Sequence, residues 1–305
     1  MAPLTNVTVF GAGGQLGTPV LRALLAAPEF NVTILAREDT NSTYPPGVRV
    51  IRTDFSPESL ATALKDQDAV VSTVTHMALD KQKEVIHAAV AAGVRRFLPS
   101  EYGGDTSKDQ MLQAAPFTRV KRQVTDLLRT LEGQGPSGQF SWSAIVPGPF
   151  LEWVFEPDEF GINLNTRTVT LYDGGDVPFP TSKLSTIADC VVGVLRNPDV
   201  TANRHVYVRS ALLTHAKILS ALESITASPW TVKHEKVDED VRAGGLERIE
   251  NGDFMGNLDL IRAAILTKGT GFDYEPMNNI LGISGDEPIE QLVKEIAGEA
   301  LTRGG

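Results

Sequence analysis

The sequence predicts an α/β fold, a doubly wound parallel sheet that carries a smaller α+β lobe. The first observation is a glycine-rich turn, Gly11 to Gly17, between an apolar strand pattern and a helical pattern. The second is the alternation of strand and helix patterns over the first half of the 305-residue chain. The third is a change in composition after Pro149, where residues 150–180 hold six of the chain's twenty aromatic residues. Such alternation favours a parallel sheet with helices on both faces.

The elements follow one another in a regular order. The first strand contains Val7 and Phe10, and the helix after it has apolar residues at helical spacing. The further predicted strands are Asn31 to Ala36, Val48 to Arg52, Asp68 to Val74, Arg96 to Ser100, Ser141 to Val146 and His205 to Arg209, with Trp230 to Val237 in the small lobe. The further predicted helices begin after the Ser56 cap or span Asp80 to Ala92, Pro116 to Glu132, Ser185 to Leu195 and Glu287 to Leu301. We therefore predict a dinucleotide-binding domain over residues 1–150, completed by about 184–210, and a substrate lobe from residues 151–183 and 211–305.

Composition and charge limit the classes of function. Apolar residues make up 42% and charged residues 22% of the chain, as in ordinary globular proteins. The formal net charge of −10 argues against a nucleic-acid partner. No apolar run approaches the ~18 residues of a membrane helix, and the start lacks a signal-peptide pattern. We expect a cytoplasmic protein, monomeric or homodimeric, with no membrane partner and no metal; its single cysteine, Cys190, excludes an internal disulfide.

The glycine turn predicts a nucleotide site. Gly11, Gly14 and Gly17 fall at G-x-x-G-x-x-G spacing, and Gln15 and Leu16 lie between the last two. Side chains are absent where the backbone must turn sharply and where a pyrophosphate must approach the amides at a helix start. The alternative is that the glycines only make a turn. The strand before them, the helix after them and the second strand favour a dinucleotide.

Three stretches resemble a known family. They are VTVFGAGGQLG, AAVAAGVRRFLPSEYGGD over Ala88 to Asp105, and the helix that contains Lys121, joined by the strand that ends at Pro147 and Gly148. Together they are similar to the isoflavone reductase-like and NmrA-like branch of the atypical short-chain dehydrogenases. The resemblance implies a Rossmann lobe, a smaller substrate lobe, NADPH, and reduction of small aromatic or phenolic metabolites. It also implies an alternative, because some members of this family sense the redox state of the cofactor without turnover.

Cofactor choice is predicted at the end of the second strand. Arg37 stands there, and an arginine fork suits a ribose 2′-phosphate, which favours NADPH over NADH. Glu38 and Asp39 follow directly, and either could instead reach toward the ribose. Ser72 and Thr73, at the end of the fourth strand, are expected to line the cofactor through backbone contacts. Pro147 is assigned to the same site.

The proton donor is predicted to be Lys121. No tyrosine has a lysine four residues after it, so the acid of ordinary short-chain dehydrogenases is absent. Phe117, Lys121, Val124 and Leu128 share one helix face, which places the amine on an apolar stripe. The resemblance implies that this lysine contacts the nicotinamide ribose and acts as acid or base. The alternative is a lysine whose stem follows the stripe while its amine stays in water.

The substrate side is predicted from four residues. His76 follows the fourth strand and is assigned as a second acid or a substrate hydrogen-bond donor, with a plain loop histidine as the alternative. Tyr102, after the fifth strand, is expected to help position the nicotinamide loop and the substrate. Phe150 and Trp153 open the small lobe and would form flat apolar walls for an aromatic substrate. Core packing is the alternative for both rings.

These observations predict an NADPH-dependent reductase that transfers hydride to a small aromatic or conjugated carbonyl metabolite, phenolic or polyketide-like. A redox-sensing regulator without turnover, or an isomerase or cyclase on the same fold, are the alternatives. Lys121 distinguishes the reductase from the redox sensor, since a sensor has no need of an inward-facing cation beside the nicotinamide.

Overall fold

The computed structural model describes residues 2–75, 78–157, 159–270, 272 and 274–303. The strands in these ranges are β1 (Asn6–Phe10), β2 (Asn31–Arg37), β3 (Arg49–Thr53), β4 (Ala69–Ser72), β5 (Arg96–Leu98), β6 (Ser141–Val146), β7 (Ile162–Asn163), β8 (Thr168–Tyr172), β9 (Phe179–Thr181), β10 (Arg204–Tyr207), β11 (Ala211–Leu213) and β12 (Thr231–Glu235). The α-helices are α1 (Gly17–Ala26), α2 (Pro57–Leu64), α3 (Lys81–Ala92), α4 (Asp109–Ala114), α5 (Arg119–Thr130), α6 (Leu151–Val154), α7 (Leu184–Arg196), α8 (Pro198–Thr201), α9 (His215–Thr226), α10 (Ala243–Glu250), α11 (Gly256–Ile265), α12 (Asn278–Leu281) and α13 (Ile289–Arg303).

Seven parallel strands form the main sheet in the order β10-β6-β5-β4-β1-β2-β3. The chain moves to one side from β1 to β3 and to the other side from β4 onward, so the order reverses between β1 and β4. Helices α1 and α7 pack on one face, and α2, α3 and α5 pack on the other. This is a Rossmann fold, and the predicted fold class is confirmed. Ligands of such sheets bind at the carboxyl ends of the strands where the order reverses.

Local sequence explains most of the element bounds. Strand β6 spans the predicted residues, while β4 and β5 end earlier than predicted because the chain leaves the sheet to form the loops at its carboxyl edge. The Ser56 hydroxyl accepts a hydrogen bond from the Ser59 amide, which is the predicted cap of α2. Pro116 starts a short 3-10 turn, Pro116–Thr118, so the predicted helix over 116–132 becomes this turn followed by α5.

A second hydrophobic core lies outside the main sheet. It packs around a three-stranded sheet, in which β8 is parallel to β12 and antiparallel to β7, and around the β9–β11 pair. Helix α13 packs on α9 in this core, where Leu292 and Val293 are buried. Met111 and Ala115 of the α4 segment also belong to it, so residues before 150 contribute to the second core. None of the helices within the described ranges has the length and apolar content to cross a membrane.

Candidate active site

A cavity of about 370 Å³ opens at the carboxyl edge of the main sheet, where the strand order reverses. Its volume falls in the range of small-molecule sites. The walls come from the glycine turn, the loops after β4 and β5, the start of α5, the segment after β6, and α11. The glycine turn and the aromatic side chains of the second core therefore face one space.

The glycine turn is packed too closely for side chains at two of its positions. Gly11 has a φ of +95°, and a Cβ there would lie 2.8 Å from the carbonyl carbon of Thr73. A Cβ on Gly17 would lie 2.0 Å from the carbonyl oxygen of Gly11. Gly14 differs, because its nearest contact would be the Gly11 oxygen at 3.4 Å, and it lines the cavity. Gly11 and Gly17 thus bring strand and helix together, whereas Gly14 presents bare backbone to the cavity.

The start of α1 offers free hydrogen-bond donors. In the described part of the chain, the backbone N–H groups of Gln15 and Leu16 have no acceptor, while the Gly14 N–H donates to the Gly11 carbonyl at 3.1 Å. Gln15 and Leu16 both line the cavity. Unpaired amides and the positive end of a helix dipole attract anions. The turn therefore fits the pyrophosphate of a dinucleotide.

The loop after β4 uses its polar groups for the fold. The Thr73 amide and hydroxyl both donate to the Phe10 carbonyl, at 2.7 and 3.3 Å, which ties β4 to β1. Thr73 lines the cavity beside Val74 and Thr75. Ser72 is fully buried in β4 and is not among the lining residues. His76 lies outside the described residues, so its predicted roles stay predictions.

The loop after β5 is fixed to both of its neighbours. The Ser100 amide donates to the buried Gln82 side chain of α3 at 2.8 Å, and the Ser100 hydroxyl donates to the Val74 carbonyl at 2.7 Å. The next residues, Glu101 and Tyr102, are buried. These two hydrogen bonds hold the backbone of this loop against α3 and against the loop after β4.

Lys121 reaches the cavity from the first turn of α5. Val124 and Leu128 of the same face are buried, as their spacing predicts, and Lys121 itself is half-buried and lines the cavity. Its Nζ donates a hydrogen bond to the backbone carbonyl of Glu101. Gly103 leaves room beside the amine, since even a Cβ there would be 3.6 Å from Nζ. Of the described lining residues, Lys121 alone carries a formal charge.

Burial makes the Lys121 amine easier to deprotonate. Loss of solvation lowers the pKa of Lys121, and the negative charge of Glu101 works in the opposite direction. Burial likewise raises the pKa of Glu101, against the charge of Lys121 and the hydrogen bond from Thr106. A lysine whose pKa is displaced toward neutrality can exchange a proton more readily than an exposed one.

Aromatic rings form the wall that faces the glycine turn. Phe150 and Trp153 line the cavity, and the Trp153 indole is held by a 3.2 Å hydrogen bond to Glu159 and by an edge contact with Phe160 at 5.0 Å. Tyr102 also lines it; burial raises the pKa of this phenol, which stays neutral. The wall is thus apolar, fixed and uncharged.

Helix α11 supplies a part of the wall that sequence reasoning missed. Phe254, just before the helix, and Leu258, Ile261 and Ile265 line the cavity at positions i, i+4, i+7 and i+11. Phe254 meets Phe117 edge-on at 6.0 Å between ring centres. The helical spacing is visible in the sequence and would have identified one apolar face. Only the tertiary fold shows that this face meets the 3-10 turn before α5.

Arg37 and Pro147, like Gly11, Gly17 and Ser72, were predicted to bind the cofactor but do not line the cavity. Arg37 ends β2 with 64% of its side chain exposed, and its Nε lies 3.6 Å from Asp39. Arg52 of β3 donates to the carbonyls of Arg37, Glu38 and Thr40, so it braces that loop. Pro147 is buried, and its carbonyl accepts a hydrogen bond from Ser182, while the next residues, Gly148 to Phe150, line the cavity. The described residues contain no cluster of histidine, cysteine or acidic side chains suited to a metal ion.

Comparison with known proteins identifies the family. The sequence model of the NmrA-like family matches residues 4–244. The chain belongs to the NmrA-like family. It is 34% identical over 299 residues to the oxidoreductase aprR of Aspergillus flavus, which covers 95% of this chain and 99% of that protein. The predicted membership is confirmed.

Solved structures agree with the observed fold of this NmrA-like chain. A leucoanthocyanidin reductase–NADPH complex from Vitis vinifera superposes with a TM-score of 0.77 at 21% identity, over 97% of this chain and 99% of that one. An isoflavone reductase superposes with a TM-score of 0.74 at 16% identity, over 95% and 99%. The predicted class of oxidoreductase is confirmed. The roles assigned to single residues stay predictions.

Proposed function

We propose that the chain is an NADPH-dependent reductase of a small aromatic or conjugated carbonyl metabolite, phenolic or polyketide-like. The observation that carries the proposal is that Lys121 is the one charged group among the described residues lining a cavity that joins a glycine turn with free amides to an aromatic wall. The names of the relatives support the reductase class, and the Vitis vinifera structure, solved with NADPH, supports the cofactor.

The residues present fit a phosphorylated dinucleotide. The Gln15 and Leu16 amides would hold the pyrophosphate, and bare backbone at Gly14 would let it approach. Arg37, braced by Arg52 through its own carbonyl, would meet the 2′-phosphate, because a guanidinium fork matches phosphate oxygens. Bound NADPH would supply the hydride, and the protein supplies orientation and a dry site.

The chain's own chemistry would be the handling of one proton. Lys121 Nζ stands at the cavity wall on the Glu101 carbonyl, so as an ammonium it can donate a proton to a substrate oxygen. Its lowered pKa favours that transfer near neutral pH. The apolar walls around it exclude water, which would otherwise compete for the same proton.

The walls favour a flat substrate. Trp153 is fixed by Glu159 and Phe160, and Phe117 and Phe254, which also line the cavity, contact each other edge-on. Rigid rings suit an aromatic or conjugated partner that can stack on them. Since Lys121 is the one charged group among the described lining residues, a neutral substrate with a hydrogen-bonding oxygen fits better than a polyanion.

The test is NADPH consumption over a panel of aromatic ketones, enones and quinones, with the wild type, Lys121→Met and the control Lys83→Met. Lys83 lies on the exposed side of α3 beside Asp80. We expect turnover of at least one panel member, a loss of about 10²- to 10⁴-fold in kcat for Lys121→Met, and no change for Lys83→Met. Tight NADPH binding without turnover of any member would contradict the reductase and favour the redox sensor.

A further inference from the structure

Gly104 and Met111 form a buried part of the cavity wall. Both residues line the cavity, and Met111 of α4 is only 1% exposed, whereas Phe254 on another part of the wall is 45% exposed. Met111 also belongs to the second hydrophobic core, together with Phe272. The methionine side chain therefore separates the cavity from this core at a part of the wall that is closed to solvent.

The missing side chain of Gly104 makes room for the tip of Met111. A Cβ on Gly104 would lie 3.0 Å from Met111 Cε, 3.1 Å from its Sδ and 3.0 Å from Phe272 Cζ. These distances are shorter than the roughly 3.5–4.0 Å of ordinary carbon contacts, so a methyl group there would displace a neighbour. The φ of Gly104 is outside the left-handed region, so alanine is compatible with its backbone. Glycine at this position thus serves side-chain packing.

The tip of Met111 is the part of this contact that can move. The backbone beside Gly104 is held in place, because the Gly103 carbonyl accepts a hydrogen bond from the Gly148 amide at 3.1 Å. The Phe272 ring is buried in the second core. A methionine side chain has three rotatable bonds and adapts to its surroundings. A methyl group on Gly104 would therefore push the thioether into the cavity, which is the space open to it.

We propose that Met111, packed on the bare backbone of Gly104, determines how large a substrate the cavity accepts. A Cβ on Gly103 would lie 3.6 Å from Lys121 Nζ, so two consecutive glycines adjoin the amine and the methionine. A substrate whose oxygen meets the amine has room on this side only as far as the thioether. The inference deepens the proposed reductase function and rests on it, because that function places the substrate oxygen at Lys121.

The side chains around Met111 specify an apolar substituent on the substrate. Helix α11 contacts α4 and contributes Ile261 and Ile265 to the cavity wall. A polar group buried against such side chains without a hydrogen bond is costly. An alkyl group instead gains about fourfold in affinity for each methylene that it buries. The substrate class is thus a neutral aromatic ketone that carries an apolar substituent of limited length.

The experiment measures the preferred substituent length in binding and in turnover. Calorimetry gives the affinity of the full-length chain for para-alkylphenols, with substituents from hydrogen to hexyl, and kcat/KM is measured for the matching para-alkylacetophenones with NADPH. The variants are Met111→Ala, Gly104→Ala and the double variant. Met255→Ala and Gly244→Ala are the matched controls. Met255 is exposed and is not among the described lining residues, and a Cβ on Gly244 would meet no described atom within 4 Å.

Wild-type affinity should rise by about fourfold per methylene until the substituent reaches Met111, and then fall. Met111→Ala should lengthen the preferred substituent and Gly104→Ala should shorten it, while both controls behave like the wild type. In the double variant the methyl group has no thioether to displace, so the preferred length should equal that of Met111→Ala. An unchanged preferred length in both single variants would overturn the inference. A shortening by Gly104→Ala that persists in the double variant, or a wild type that binds none of the phenols, would also overturn it.

The two proposals fail separately. If ketones are reduced in a Lys121-dependent way but the preferred length does not move, the reductase stands and the role of Met111 is wrong. If the preferred length in phenol binding moves as expected but no ketone is reduced, Met111 borders a binding site and the reductase is wrong. Should Met111→Ala fail to fold, Met111→Val takes its place, because valine is shorter than methionine and still apolar. The same outcomes then decide.

Discussion

Substitutions in the glycine turn can separate effects on NADPH binding from effects on folding stability. A methyl group added by Gly14→Ala would meet nothing closer than the Gly11 oxygen at 3.4 Å, which is an ordinary contact. The φ of Gly14 is also outside the left-handed region, so alanine is compatible with its backbone. Folding stability should therefore be unchanged or rise by about 0.4–1 kcal/mol through reduced freedom of the unfolded chain.

The same methyl would project where a pyrophosphate must approach. Overfilling a closely packed contact costs about 1–3 kcal/mol, which corresponds to roughly a 5- to 150-fold loss of affinity. Gly17→Ala should behave in the opposite way. Its Cβ would lie 2.0 Å from the Gly11 oxygen, a backbone atom that cannot move aside cheaply, so we expect a loss of stability at the upper end of about 1–3 kcal/mol or more.

The assay combines urea unfolding with NADPH titration followed by tryptophan fluorescence, for which Trp153 on the cavity wall is the reporter. Gly14→Ala should unfold like the wild type and bind NADPH more weakly. Gly17→Ala should unfold at lower urea. If Gly14→Ala bound NADPH as tightly as the wild type, the turn would not hold the pyrophosphate, and the glycines would serve only the turn.

Three further predictions concern the cofactor, the substrate wall and pH. Arg37→Ala should weaken NADPH binding by about tenfold and leave NADH binding unchanged; the effect is modest because the side chain is largely exposed. If a fluorescence titration showed equal losses of affinity for both nucleotides, Arg37 would not bind the 2′-phosphate. Phe254→Ala removes the ring that contacts Phe117 and enlarges the cavity, so KM should fall for bulkier ketones relative to small ones. If the variant and the wild type showed the same dependence of kcat/KM on ketone size, this prediction would be wrong. Because burial lowers the pKa of Lys121, kcat should decline as pH rises through a midpoint below that of an exposed lysine, and a flat profile up to the ordinary lysine range would refute Lys121 as the donor.

Elements whose structure depends on residues close together in the sequence could be predicted from local sequence patterns. The strand before Gly11 and the helix after Gly17 could be predicted because apolar periodicity and glycine spacing are properties of short segments. The inward face of α5 followed from the spacing of Val124 and Leu128 for the same reason. Strand alternation then restricted the order of the sheet, because parallel strands need crossover helices.

Contacts between distant segments could not be predicted in this way. The approach of Phe254 to Phe117 joins positions 137 residues apart, and nothing local in the sequence pairs them. The bracing of the Arg37 loop by Arg52 depends on the register of β2 against β3. Ser72 is buried at the last position of β4, and the lining of the cavity begins at the next residue, Thr73, so the expected backbone contact of Ser72 with the cofactor stays a prediction.

The most direct measurement is a crystal structure of the chain with NADPH bound. The account predicts the pyrophosphate on the amides of Gln15 and Leu16, the 2′-phosphate beside Arg37, and the nicotinamide within contact of Lys121 Nζ. A dinucleotide bound elsewhere, or a Lys121 amine turned to bulk solvent when NADPH is present, would contradict it.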